Sequence, residues 1–511
     1  MGSISFWFLF AASNLEIAGV ALLIGLAFVW LGVRMRRRAR RQDAKRRAYG
    51  STALAAFGAF LALFVVVSFI IEPRYLMRVF KTDYADAARM AVLRDAPLSP
   101  AEETTFPAGD WPQWRGPARD GVSRESGLLT DWTEKKPPVV WKQPFGKGYS
   151  SIAVAHGRLY TMDRQGPQER VVCLDAATGK EIWNHAYATN FQLIQAGENN
   201  QPGPRATPTV YDGRIYTVGA VGKFLCLEAT PSTAAPKVLW EHDLLADYDL
   251  QGGIQPRMPA WGIACSPLIE GDLVIVQPGG ENGSIVAYDR RTGDVRWRAL
   301  ADLSGYSSPI AATVAGVRHI IAMTGDRSVG LNAADGRLLW SYEFATGFHG
   351  NIATPIVAGS YVFISADYGT GCAMLQLSAD GKGALKAEPV YFKNNKLMRN
   401  HHSTCVFRDG FLYGFDKDFL KCVDLRTGEE KWNAARQVDK GSVLCAGDHL
   451  VVLTQNGLLV SVAATPEKFV KKGDMQVLES ATGTTWTVPA LADGRLYLRD
   501  GTQIVCLDLR K

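Results

Sequence analysis

The sequence predicts an all-β ring: an eight-bladed β-propeller of four-stranded antiparallel blades, preceded by an N-terminal two-helix transmembrane hairpin. Three observations carry this. A phrase ending in a tryptophan, such as "VCLDAATGKEIW" at Val172–Trp183, returns at Val286–Trp297, Val329–Trp340 and Lys421–Trp432. A second phrase, built on Ser/Thr-Pro and an Asp-Gly turn, recurs with its anchor at 152, 208, 267, 309, 355, 405, 443 and 489, an average spacing of about 48 residues. Near the start, two uncharged apolar segments flank a run of arginines.

The hairpin is read first. Ile17–Val33 ("IAGVALLIGLAFVWLGV") carries no charge, and Ser51–Ile71 is 21 uncharged residues long. At about 1.5 Å per residue, the second is long enough for a hydrocarbon core of roughly 30 Å. Between them Arg34–Arg47 ("RMRRRARRQDAKRR") holds nine basic residues and one acidic. A cleaved signal peptide places its positive charge before the apolar run, whereas here it follows. The expectation is a hairpin over residues 1–72 with a cytoplasmic basic loop at 34–50 and both flanks on the far side. The formal charge of +6 on 511 residues therefore belongs to one cluster, and the remainder of the chain is slightly acidic. That excludes a general nucleic-acid-binding surface.

Residues 73–110 read as a juxtamembrane helix and linker. Arg74–Pro97 has helical composition, with Leu76, Val79 and Phe80 spaced for one face, which suits a membrane surface. Pro97–Asp110 has the Pro, Ala, Glu and Thr content of a flexible tether.

Residues 111–511 form the propeller. In each unit the Ser/Thr-Pro phrase is a short strand, and a Gly-containing turn reverses it into a second. A third strand ends near "CLD", the Thr-Gly turn reverses the chain again, and a fourth strand closes on tryptophan. Alternating aliphatic and aromatic residues between turn signals suit half-buried antiparallel strands, and four-stranded units of this period make propeller blades. The last unit stops at "VCLDLRK" without its fourth strand, while "PPVVWKQPF", with Trp141, stands unpaired upstream of the first. Joining the two closes the ring and hides its edges. The recurring tryptophans sit on outer strands and are expected to pack blade on blade rather than stack on a cofactor. Their slot is weak in the fifth unit (near Tyr391) and the seventh (near Phe469), which predicts irregular blades there.

Cys173, Cys226, Cys422 and Cys506 share the third-strand slot of four blades, too far apart for disulfides, and are expected to be buried free thiols. Cys265 and Cys405 stand on first strands without a Cys-x-x-Cys neighbour. Residues just before each first strand should gather at one mouth of the channel. These are Tyr149, Arg205, Trp261, Tyr306, His349, Asn351, His401, His402 and Trp486, and converging aromatic, imidazole and guanidinium groups make them the candidate ligand-binding set. His401–His402 is not expected to hold a metal, because adjacent strand residues point to opposite faces. No catalytic triad order, phosphate loop or paired-carboxylate spacing stands out, so no catalytic and no metal-binding residue is assigned.

Together the repeated phrases resemble the PQQ-type propeller repeat, found in quinoprotein alcohol dehydrogenases and in BamB-like propellers of the bacterial outer-membrane assembly machinery. The segment "DWPQWRGPARDGVSRESGLLTDW" (Asp110–Trp132) is similar to the opening of large bacterial members. The resemblance covers Trp111–Lys511, about four-fifths of the chain. It implies the fold; for activity it admits both enzymes and non-catalytic scaffolds. The chain lacks the vicinal Cys-Cys pair of the dehydrogenases, and their calcium-binding and catalytic residues find no residue-by-residue match. It also lacks the early lipidated cysteine of the assembly factors. The leading expectation is a propeller in the periplasm, anchored in the bacterial inner membrane by two helices. It would act as a non-catalytic binding or assembly scaffold for protein partners, without cofactor or nucleic acid. The alternative is a PQQ-dependent dehydrogenase of alcohols or sugars, with the quinone and calcium at the mouth near Trp261, Trp486 and Arg205. A third reading is a sensor that binds a small ligand without turnover.

Overall fold

The computed structural model describes residues 82–98 and 106–511, apart from 194–200, 230–234, 251–258, 380–384 and 480–483, together with Trp30. Asp83–Lys511 is one compact unit. The expected hairpin at 1–72 lies, but for Trp30, outside the described residues. Among those described, no helix is long and apolar enough to cross a membrane.

Eight antiparallel blades stand in sequence order, each running from a short inner strand to an outer one. The first is Ala153–Ala155, Arg158–Gln165, Gln168–Asp175 and Glu181–Ala188. The eighth ends at Gln503–Asp508 and takes its outer strand from Val139–Pro144, with Trp141 opposite Cys506 and Lys142 opposite Val505. The ring thus closes with the strand expected to close it.

A repeated lock explains the repeated residues. In every blade the register of the third and fourth strands slips by one residue at the same place. In six of them a tryptophan sits there opposite a small residue: Cys173, Cys226, Ala287, Gly330, Cys422 or Cys506. The indole then reaches into the next blade. Trp297 Nε1 donates to Ala333 O at 3.2 Å, and a Cβ on Gly336 (φ +72°) would meet the Trp297 ring at 2.5 Å. Trp141 treats Ala176 O and Gly179 in the same way. The Thr-Gly turn glycine is therefore required twice, for its left-handed backbone and for the ring lying on it.

The fifth blade is less irregular than its sequence suggests. Tyr391 takes the tryptophan slot opposite Met374, and its hydroxyl donates to Leu425 O at 3.0 Å. In the seventh blade Gly473 occupies the slot, and Trp132 from the lead-in segment packs against it, supplying an indole from elsewhere in the chain. All eight cysteines are buried and free. Burial pushes Cys173 and Cys506 up to about 12, which keeps them as inert thiols.

The Ser/Thr of the inner-strand phrase ties neighbouring blades together around the channel. Ser151 N donates to Thr207 Oγ1, Thr207 N to Ser266 Oγ and Ser266 N to Ser308 Oγ. Ser307 Oγ continues to Ala353 O, and Thr354 N to Thr404 Oγ1. Ser442 Oγ donates to Thr487 O, and across the closing seam Ser151 Oγ donates to Val488 O.

The lead-in segment covers the end of the ring opposite the mouth. Asp110 and Glu125 accept from His156 N and Gly494 N, both in turns between first and second strands. Between them the chain bonds to six blades in all. Trp111 pairs with Val154, and Pro112 O accepts from Val210 N. Arg119 donates to Ser266 O and Pro267 O, Trp114 Nε1 to Thr354 Oγ1, and Arg115 to Thr404 O and Cys405 O. Val122–Ser123 then lies parallel to Cys445–Ala446.

Within the stretch expected as juxtamembrane helix and linker, Tyr84–Ala85 adds a fifth strand to the fifth blade beside Phe392 and Tyr391. The helix Ala87–Asp95 follows, N-capped by Asp86. Its Leu93 is fully buried among Tyr361, Met374 and Tyr391, and Arg426 donates to Arg94 O and Ala96 O just beyond.

Candidate functional site

Each blade enters from its predecessor's outer strand, so the residue before every inner strand arrives at the same end of the ring. The hairpins between second and third strands turn at that end too. Together they place at least one ring or cation per blade around the mouth. Arg205 lies 5.3 Å over the Tyr149 ring. Tyr149 stacks on Trp486 at 5.2 Å, Trp486 on His402 at 3.7 Å, and His402 on His401 at 3.6 Å. His401 meets the edge of Tyr368 at 5.0 Å and bonds its hydroxyl through Nε2 at 3.0 Å. Tyr368 stacks on Trp261 at 6.2 Å, and Trp261 lies 5.3 Å from Tyr306. Lys440, from the seventh blade, stands 2.5 Å from His401 Nδ1. The result is a continuous arc.

Seven of the nine residues assigned to the binding set come together here: Tyr149, Arg205, Trp261, Tyr306, His401, His402 and Trp486. The other two do not join the arc. His349 turns to Gly325 O at 3.3 Å, and Asn351 is fully buried, donating to Thr324 O and Phe344 O. Asn351 is a brace: its carbonyl accepts from Tyr306 N and holds that turn. Tyr368 and Lys440 were missed. Tyr368 lies in the hairpin between second and third strands at φ +52°, unusual for a bulky residue, and a search limited to residues before inner strands could not reach it. Lys440 does precede an inner strand and was readable by the rule that found the others. The reason given against a His401–His402 pair is corrected: the two lie in a bend, not a strand, and their rings stack face to face.

Burial sets the charges of the arc. His401 is pushed down to about 3 by burial, with the Lys440 and Lys417 charges adding to it, and His402 is held well below the usual imidazole value. Both rings are neutral at neutral pH. Burial also lowers Arg205 to about 10 and pulls Lys440 down. The sign for stability follows: the unfolded chain takes up protons near pH 6.5 that the folded imidazoles refuse. Stability is therefore expected to fall as pH drops below 6.5, by up to about 1.4 kcal/mol per pH unit for each group. Urea midpoints measured from pH 7 to pH 4 check this, and the slope should be shallower in a His401→Gln, His402→Gln double variant.

The same geometry tests the quinone that the resemblance leaves open. Trp486 is already stacked by His402 and Tyr149, and Trp261 is ringed by Tyr306, Tyr368 and Phe348. Among the described residues, no three His, Cys, Asp or Glu side chains gather as metal donors. Among the described residues, both indoles thus already carry aromatic neighbours, and no such donor cluster stands beside them.

Comparison with known proteins agrees with the ring. The chain is 24% identical over 382 residues to an outer membrane protein assembly factor BamB of Shewanella oneidensis, covering 71% of this chain and 86% of that one. Among solved structures, the quinohemoprotein alcohol dehydrogenase of Comamonas testosteroni superposes with a TM-score of 0.54 at 14% identity, over 82% of each chain. BamB of Moraxella catarrhalis superposes at 0.49 and 14% identity, over 73% of this chain and all of that one. The first of these two likenesses speaks for the fold alone. A family model described as outer membrane protein assembly factor BamB matches residues 125–243 and 168–395, which together span just over half of the sequence. The chain belongs to that family of PQQ-type repeat propellers.

Proposed function

We propose that the protein is a non-catalytic docking scaffold, held in the bacterial inner membrane by the hairpin at 1–72, with its propeller in the periplasm and a protein partner at the mouth. The observation that carries this reading is the arc itself. Aromatic rings and cations from all eight blades converge on one opening, with the composition of protein-binding hot spots. Membership of the assembly-factor family and the assembly role of its Shewanella relative support the same reading. The anchor is supported by the two uncharged apolar segments and the arginine-rich loop between them.

The test is a pull-down of the full chain from detergent-solubilised membranes. A stoichiometric protein partner is expected, and it should be lost when Trp486 and Trp261 are both replaced by alanine. Recovery of no such partner would overturn the reading. Calorimetric titration with pyrroloquinoline quinone and calcium is expected to give no binding heat. Tight binding together with alcohol- or sugar-dependent dye reduction would establish a dehydrogenase instead.

A further inference from the structure

We infer that Glu169 is a positioning residue for the mouth: from within the first blade it fixes a turn of the second, and through that turn the place of Trp261 in the arc. For its effect on a partner, the inference rests on the scaffold reading above. Glu169 is fully buried, and a buried carboxylate is costly unless its oxygens are bonded. An apolar side chain of that volume often serves packing as well or better. What it cannot do is hold a neighbouring amide at a fixed point.

Glu169 lies on the third strand of the first blade, Gln168–Asp175. That strand and the second have eight residues each, against six and five in the second blade. The longer hairpin brings Glu169 level with the turn at 219–222, where Gly222 N donates to Gly219 O at 3.0 Å. Ala220 N donates to Glu169 Oε2 at 3.2 Å, and Tyr187, opposite on the fourth strand, donates its hydroxyl to the same oxygen at 2.9 Å. Arg164, opposite on the second strand, and Arg205 face the carboxylate with positive charge. Gly219 leaves room for this contact, since a Cβ there would meet Glu169 Oε2 at 2.5 Å and strike the Tyr187 hydroxyl.

Ala220 hands the constraint on through its carbonyl, which accepts from Ile263 N at 3.0 Å. Gly262, between Ile263 and Trp261, takes φ +80°, and a Cβ on it would meet Ala220 O at 2.8 Å and Phe191 Cζ at 3.1 Å. The backbone that carries the indole is therefore seated on the same residue whose N–H Glu169 holds. From that seat Trp261 meets Tyr306, Tyr368 and Phe348. Three consecutive blades are linked in this way. Freeing Ala220 N would loosen the third blade's side of the mouth without touching it.

The test is fluorine NMR of the full chain in detergent, labelled with fluorotryptophan. The lines of Trp261 and Trp297 are assigned by their loss in Trp261→Phe and Trp297→Phe. Glu169→Met fills the space without an acceptor, and Gly219→Ala pushes the turn away from an intact carboxylate. Both are expected to move the Trp261 line by more than its width and to leave the Trp297 line in place. Glu169→Gln retains one oxygen for both donors and should keep the Trp261 line where the parent has it. An unmoved Trp261 line in Glu169→Met and Gly219→Ala, or equal movement of both lines, would overturn the inference. Should Glu169→Met fail to fold by circular dichroism, Gly219→Ala and Glu169→Gln decide. The same variants in the pull-down separate the two claims, with the partner expected to be lost in Glu169→Met and kept in Glu169→Gln. A moved Trp261 line with the partner retained, or no partner even for the parent chain, counts against the scaffold reading and leaves this inference standing.

Discussion

Trp141→Ala is expected to destabilise the propeller by about 4 kcal/mol, the middle of the range for emptying a buried indole site. Trp141 is 8% exposed, lies on Gly179, donates to Ala176 O at 3.1 Å and packs 6.0 Å from Tyr497. It also stands on the strand that joins the two ends of the ring. Trp297→Ala is the control, since Trp297 makes the same contacts between consecutive blades in mid-ring. Both variants lose the cavity term. Only Trp141→Ala loosens the seam, so its urea transition should broaden as well as shift. Equal shifts with unchanged slopes would show that closure adds nothing to the local lock.

Arg499→Met is expected to cost about 4 kcal/mol as well, for a different reason. The guanidinium is fully buried and held down to about 10 by that burial. Among the described residues no carboxylate comes within ion-pair distance. Its partners are instead across the seam: Met162 O at 2.6 Å, Gly146 O at 3.0 Å, Ser150 O at 3.1 Å and Thr161 Oγ1 at 3.0 Å. A methionine of similar length leaves those carbonyls buried and unpaired, at about 1–3 kcal/mol for each that water cannot reach. Arg499→Lys keeps some donors and should recover part of the loss. Chemical denaturation of the two variants checks the order, and a loss under about 1 kcal/mol in Arg499→Met would refute it.

The blades were legible because each repeated residue performs the same task in blade after blade, the tryptophan in six of the eight. Tryptophan caps the next turn, glycine admits the indole, a small residue sits opposite it, and Ser/Thr tie the channel wall. Chemistry repeated at a fixed period survives in the sequence as a phrase. What occurs once leaves no such trace. Arg115 and Arg119 belong to no repeated phrase, yet the carbonyls of two blades close on them. Tyr391 hid the fifth blade's lock by replacing an indole with a phenol, and Trp132 hid the seventh's by arriving from elsewhere in the chain. At the mouth, the turn rule found the residues that precede inner strands but gave Asn351 a ligand's role, because side-chain direction depends on local backbone. Tyr368 required the second set of hairpins.

The lead-in segment makes the channel a cul-de-sac. With Trp111, Arg115 and Arg119 fastened across its base, a polypeptide cannot be threaded through the ring from one side to the other. Anything bound at the mouth would therefore leave by the same opening. Under the proposed scaffold role, that geometry favours holding a partner in place over passing a chain along.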